Sequence, residues 1–169
     1  MVYIKYPKIW QKGWLYMIKI LFVCHGNICR SPTAEFLMKK LAAESGHGAD
    51  FKIDSAATSS EELGNSVYPP ARKYLQQAGI DCTGKIAVQM CAADYRTYDL
   101  LIGMDHANLR NMKRISGGDP EQKIHLLLHF TGQETEIADP WYTRDFKAAY
   151  QQIDAGCRAL LRHCVEVYL

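Results

Sequence analysis

Short apolar runs alternate with helical stripes along this chain from Ile18 onward, and that alternation narrows the fold more than composition does. Ile18–Val23 is a nearly continuous apolar run, the pattern of a strand covered on both faces. Ala34, Leu37, Met38 and Leu41 then fall on one helical stripe, with Pro32 in a first-turn position and Ser45-Gly46-His47-Gly48 as the stop. Phe51–Ser55 reads as a second strand, and Ala71, Tyr74, Leu75 and Ala78 as a second stripe ended by Gly79. Asp99–Met104 and Ile124–Phe130 give strands three and four, separated by a helix over Asn108–Ile115 that Gly117-Gly118 closes. A last stripe runs from Phe146 through Ile153 and Leu160 to Cys164, about five turns. Strands and helices in this order predict a single-domain α/β fold with a four-stranded parallel sheet, helices on both faces and right-handed crossovers.

The chain has 169 residues, 48% apolar and 22% charged, the balance of one soluble globular domain rather than a disordered or membrane-embedded one. A net charge of +2 gives no footing for nucleic acid. Lys5, Lys8 and Lys12 supply +3 of it, leaving −1 for the remainder. We expect residues 1–16 to be an N-terminal extension without a catalytic role, its aromatics and lysines suited to docking on the domain or touching a membrane surface, and residues 17–169 to be the domain. Polar and breaking residues interrupt the extension too often for a signal peptide or a membrane span. The cysteines at 24, 29, 82, 91, 157 and 164 form neither a Cys-x-x-Cys pair nor a zinc-spaced cluster, so a reducing cytoplasm and no metal or other cofactor are expected. Cys157 and Cys164 fall on the last helix's apolar stripe and read as core.

Ligands of open parallel sheets bind at the carboxyl ends of the strands. The chain there reads Cys24-His25-Gly26-Asn27-Ile28-Cys29-Arg30-Ser31: a cysteine closing the strand, a short loop, and an arginine where the helix begins. Gly26 and Asn27 tolerate left-handed backbone angles, so the loop's N–H groups can curl around one anion. The helix N-terminus adds unpaired donors and a positive dipole end, and Arg30 adds a fork suited to a phosphate dianion. An ordinary free thiol is only about 3% ionised at neutral pH, whereas a helix N-terminus and a cationic neighbour favour the thiolate. Ser31 is placed to donate a hydrogen bond to it. Cys24 is therefore the candidate nucleophile toward phosphorus. Taken singly, each part has a plainer reading: a core cysteine, a turn, a solvated arginine. The combined spacing between a strand and a helix is what makes the loop a phosphate cradle.

Cys24–Ser31, continuing through Pro32-Thr33-Ala34-Glu35, resembles the signature loop of the low-molecular-weight protein tyrosine phosphatases. The resemblance extends through Asp54–Thr58 and Asp99–Asp105 to Asp139-Pro140-Trp141-Tyr142, and so over most of the chain from Met17 onward. It implies a flavodoxin-like, phosphotyrosine phosphatase I-like sheet and hydrolysis of phosphotyrosine through a phosphocysteine intermediate without metal. It also implies a phosphotyrosine-containing protein or peptide as partner. The resemblance makes Asp139 the general acid and then the base; by itself, Asp139-Pro140 reads as a turn, with Pro140 holding Asp139 extended. It makes Trp141 and Tyr142 the wall for the substrate ring, and Asn27, Ser31 and Ser55 the hydrogen-bonding brace of the loop. His25, Gly26, Ile28 and Cys29 complete the substrate-binding loop, with His25 at a position that commonly varies. Cys29 has two readings: a small packing residue, or a partner that traps oxidised Cys24 as a disulfide.

The chain also departs from the family pattern. Lys85 and Val88 stand where a bracing histidine and an arginine are often found, and Ser60, Glu61 and Glu62 replace an aromatic opposite the site. Three other readings compete. A protein arginine phosphatase shares the loop but typically carries threonine where this chain has Ile28, and an arsenate reductase needs a relay cysteine where this chain has Ile102-Gly103-Met104. A phosphate-binding module without turnover has no need of Cys24, Arg30 and Asp139 together. The oligomeric state is left as monomer or weak dimer, and the physiological substrate is open.

Overall fold

The structure, a computed structural model, describes residues 17–169; the expected extension over 1–16 lies outside the described residues. The strands are β1 (Ile18–Cys24), β2 (Phe51–Ala57), β3 (Leu100–Gly103) and β4 (Ile124–Leu126). The helices are α1 (Arg30–Glu44), α2 (Pro69–Gln77), α3 (Asp94–Thr97), α4 (His106–Ser116), α5 (Pro140–Thr143) and α6 (Phe146–Tyr168). All strands pair in parallel, in the order β2-β1-β3-β4. The connection from β1 leads to one side and that from β3 to the other, so the topological switch point lies between their carboxyl ends.

β1 is central, and its alternate side chains enter two cores. Ile18, Ile20 and Phe22 join Leu37, Met38, Ile153 and Leu160 of α1 and α6 on one face. Leu21 and Val23 join Leu101, Met112, Tyr95 and Tyr98 on the other. Burial on both faces is why β1 reads as a continuous apolar run. In α6, Gly156 permits the closest packing: a Cβ there would lie 2.5 Å from Leu127 Cγ. The long helix thereby seats directly on the segment after β4.

That segment corrects one expectation. Ile124–Phe130 is not a single strand, because pairing stops at Leu126 and Leu127–Thr131 coils into a 3-10 turn. Leu127 and Leu128 are buried beneath α6, and Gly132, at φ 83°, ends the turn. A short apolar run does not distinguish a buried strand from a buried turn. No helix among the described residues is long and apolar enough to cross a membrane.

Candidate active site

Cys24 ends β1 and Arg30 opens α1, so residues 25–29 wrap the carboxyl edge of the sheet. Asn27 alone in this loop adopts a left-handed conformation, φ 57°. Its side chain offsets that strain with three hydrogen bonds: Nδ2 donates to Ser31 Oγ (2.8 Å) and Ser55 Oγ (2.9 Å), and Oδ1 accepts from the Val88 N–H (3.1 Å). Gly26 serves a different purpose from the one its residue type suggests. A Cβ there would stand 3.1 Å from Glu62 Cγ, so glycine lets the turn after β2 close on the loop.

Cys24 Sγ lies 3.0 Å from Ser31 Oγ. Because the Ser31 oxygen accepts from Asn27, its own proton is left to point at sulfur or at the Ala56 carbonyl (3.4 Å). Arg30 is only 2% exposed. Nη1 donates to Asp105 Oδ2 (2.6 Å) and the Ile137 carbonyl (2.9 Å), and Nη2 donates to Asp139 Oδ2 (2.8 Å). Burial works against its charge, but Cys24, Asp139 and Asp105 outweigh it and raise the guanidinium above its ordinary value. Asp139 has the extended backbone expected before proline, φ −72° and ψ 114°. It caps α5 by accepting from the Trp141 N–H (3.0 Å).

Cys24, Ile28 and Arg30, all buried, line one cavity of about 130 Å³ together with Asp139, Trp141 and Tyr142. Tyr142 is 79% exposed. Trp141 is steadied by Tyr68, whose ring centroid lies 5.2 Å away, and by the Arg144 guanidinium, 5.5 Å from its ring centre. His25, Glu61 and Glu62 form the other side of the mouth. Cys29 is buried beside the base, and burial, with Cys24 and Asp139 adding to it, pushes its thiol up to about 12.

The structure thus brings together every site residue expected from the sequence, with Ser55 behind the loop. It adds three to which the sequence assigned no role, Asp105, Glu35 and Tyr68, and it places Glu61 and Glu62, expected opposite the site in place of an aromatic, in the cavity lining. Asp105 follows β3 at the switch point and was findable by the same carboxyl-edge rule that found Cys24. Tyr68 was not, because it reaches the loop through its backbone, donating its N–H to the Ile28 carbonyl (2.8 Å). The replaced brace also resolves. The Val88 backbone holds Asn27, and Lys85 instead pairs with Glu35 (3.0 Å) and donates to the Ser55 carbonyl (3.0 Å). Among the described residues no group of three His, Cys, Asp or Glu side chains is arranged to hold a metal ion.

A cysteine and an arginine fork lining one cavity at the carboxyl edge of a parallel sheet fit a phosphate-handling site of the cysteine-dependent kind. The family model described as low molecular weight phosphotyrosine protein phosphatase matches residues 19–167, and the chain belongs to that family. It is 35% identical over 147 residues to the low molecular weight protein-tyrosine-phosphatase YfkJ of Bacillus subtilis, covering 86% of this chain and 94% of that one. The crystal structure of YfkJ superposes with a TM-score of 0.88 at 33% identity, covering 94% of this chain and all of that one. The Drosophila arginine phosphatase DARP is also similar, with a TM-score of 0.80 at 31% identity over 86% of this chain and 97% of its own.

Proposed function

We propose that the protein hydrolyses phosphotyrosine in proteins or peptides through a phosphocysteine intermediate. The observation that carries this reading is the convergence on one cavity of Cys24, the Arg30 fork and Asp139. In the proposed reaction the phosphoryl group sits in the loop, its equatorial oxygens held by Arg30 and by N–H groups between His25 and Arg30. The Cys24 thiolate attacks phosphorus, the bond to the phenolic oxygen breaks, and Asp139 gives its proton to the leaving phenolate. Water then attacks the phosphocysteine, Asp139 takes the proton, and the P–S bond breaks to release phosphate and regenerate the thiolate. The Ser31 hydroxyl, 3.0 Å from Sγ, supports that thiolate as attacking and as leaving group.

Trp141 and Tyr142 offer an aryl ring a wall above the base of the cavity, and buried Ile28 offers an apolar floor. Both favour a long aromatic phosphoester over phosphoserine, whose short side chain leaves phosphorus far from Cys24. The likeness to DARP supports a second reading, a phosphoarginine substrate on the same machinery. All six cysteines are free, which accords with a reducing, cytoplasmic setting. The deciding experiment is steady-state hydrolysis of matched phosphotyrosine, phosphoserine and phosphoarginine peptides, with thiol and chelator present. Activity confined to phosphotyrosine is expected; preference for phosphoarginine would transfer the mechanism to the second reading, and inactivity on all three would refute both.

A further inference from the structure

The two sides of the cavity mouth differ in chemistry. Trp141 and Tyr142 form an aromatic side, and the turn after β2 presents Glu61 and Glu62 on the other. Glu61 has a side chain 69% exposed, with Oε2 2.9 Å from His25 Nε2. Glu62 lays its methylenes against Gly26, and its carboxylate accepts from Asn65 Nδ2 (2.6 Å). Among the described residues neither carboxylate is paired with a lysine or arginine. Arg144 lies over Trp141 and does not line the cavity.

A phosphate dianion gains nothing from carboxylates at the entrance; their field opposes it. The same field favours a cation that arrives with the phosphate and stays at the mouth while the phosphoryl group descends to Cys24. A peptide whose phosphotyrosine ring lies along Trp141 and Tyr142 leaves its neighbouring residues at that mouth, beside the exposed Glu61 side chain. We propose that Glu61 and Glu62 form an anionic subsite that selects phosphotyrosine segments bearing lysine or arginine beside the phosphotyrosine. Glu61 exchanges its His25 contact for the incoming cation, and Glu62 adds a second, more fixed charge. The inference rests on the phosphotyrosine reading and gives it a substrate class.

The test uses three peptides that differ only in the residues flanking phosphotyrosine (Lys, Ala or Glu), alongside an uncharged aryl phosphate. Two exposed ion pairs, attractive for Lys and repulsive for Glu, predict a kcat/KM for the Lys peptide about tenfold above that for the Glu peptide. That ratio falls to about two in a Glu61→Gln/Glu62→Gln variant, which keeps the methylene packing on Gly26, and shrinks in high salt. Equal kcat/KM for the Lys and Glu peptides, or a ratio unchanged in the variant, would overturn the subsite while leaving aryl phosphate hydrolysis intact. Absence of aryl phosphate hydrolysis by the unmodified protein would overturn the phosphatase reading itself, and the subsite with it.

Discussion

Lys85 places its ammonium nitrogen 3.0 Å from Oε2 of Glu35, a carboxylate whose side chain is only 5% exposed. Glu35 also receives Lys39 and the Ser55 hydroxyl, and Ser55 in turn receives Asn27, so the ion pair closes a chain that begins at the loop. Removing the lysine leaves a buried carboxylate with one cation fewer. Lys85→Met is expected to lower stability by about 1–3 kcal/mol in urea unfolding. A positioning role predicts a fall in kcat as well, which Lys85→Arg would partly restore. Loss of stability with kcat intact would confine Lys85 to the fold.

The proposed proton transfer makes a graded prediction for Asp139. Asp139→Asn keeps the hydrogen bond to the Trp141 N–H and removes the proton donor, so kcat on a phosphotyrosine peptide is expected to fall by about 10²–10⁴. The loss is expected to be smaller on an aryl phosphate whose leaving group needs no proton. Equal losses on both substrates would count against the acid role.

Asp105 does two things with two oxygens: Oδ2 receives Arg30 Nη1, and Oδ1 caps α4 through the Asn108 N–H (2.7 Å). Asparagine retains the cap and gives up the charge; alanine gives up both. Asp105→Ala is therefore expected to be less stable than Asp105→Asn by about 1 kcal/mol. Both are expected to raise KM about tenfold, because the fork loses its charged anchor. Identical stabilities, or a KM that stays at the parent value in both variants, would refute this division of labour.

Away from the site, His125 and His163 flank Phe130, and each has a buried Nε2 without a hydrogen-bond partner. Burial lowers both below the usual histidine value of 6.5, with His129 adding to the effect; Asp119 and the Gln122 backbone oppose it at His125, and Glu166 opposes it at His163. The unfolded chain thus binds more protons than the folded one as pH drops below about 6.5, so these histidines remove stability on acidification. The urea midpoint is expected to fall between pH 7.5 and about pH 5.5, less steeply in His125→Phe. An identical pH slope in that variant would exclude His125 as a source.

The parallel sheet and the loop were legible because their signals are local. Ile18–Val23 declares burial on both faces, and Cys24, Arg30 and Ser31 stand within eight consecutive residues. Asp139 was reachable only through the family resemblance, since Asp-Pro is ordinary turn chemistry. The Leu127–Thr131 turn was hidden because its apolar residues answer to Gly156, far along the chain. The brace showed the opposite limit. Lys85 and Val88 looked like losses at two side-chain positions, yet Val88 supplies a backbone N–H that any residue other than proline offers. Side-chain identity is a poor guide where the contact is made by the main chain.

The Arg30–Asp139 ion pair has one more consequence. Asp139 engages one arm of the Arg30 fork, so an incoming phosphate must displace a resident competitor. In the proposed cycle Asp139 holds the proton taken from water when phosphate is formed, so once it passes that proton to phosphate or solvent its carboxylate can return to Arg30 and oppose retention of inorganic phosphate. Turnover and product inhibition would then be coupled through a single side chain, which acts as an internal clearing device for the pocket it serves.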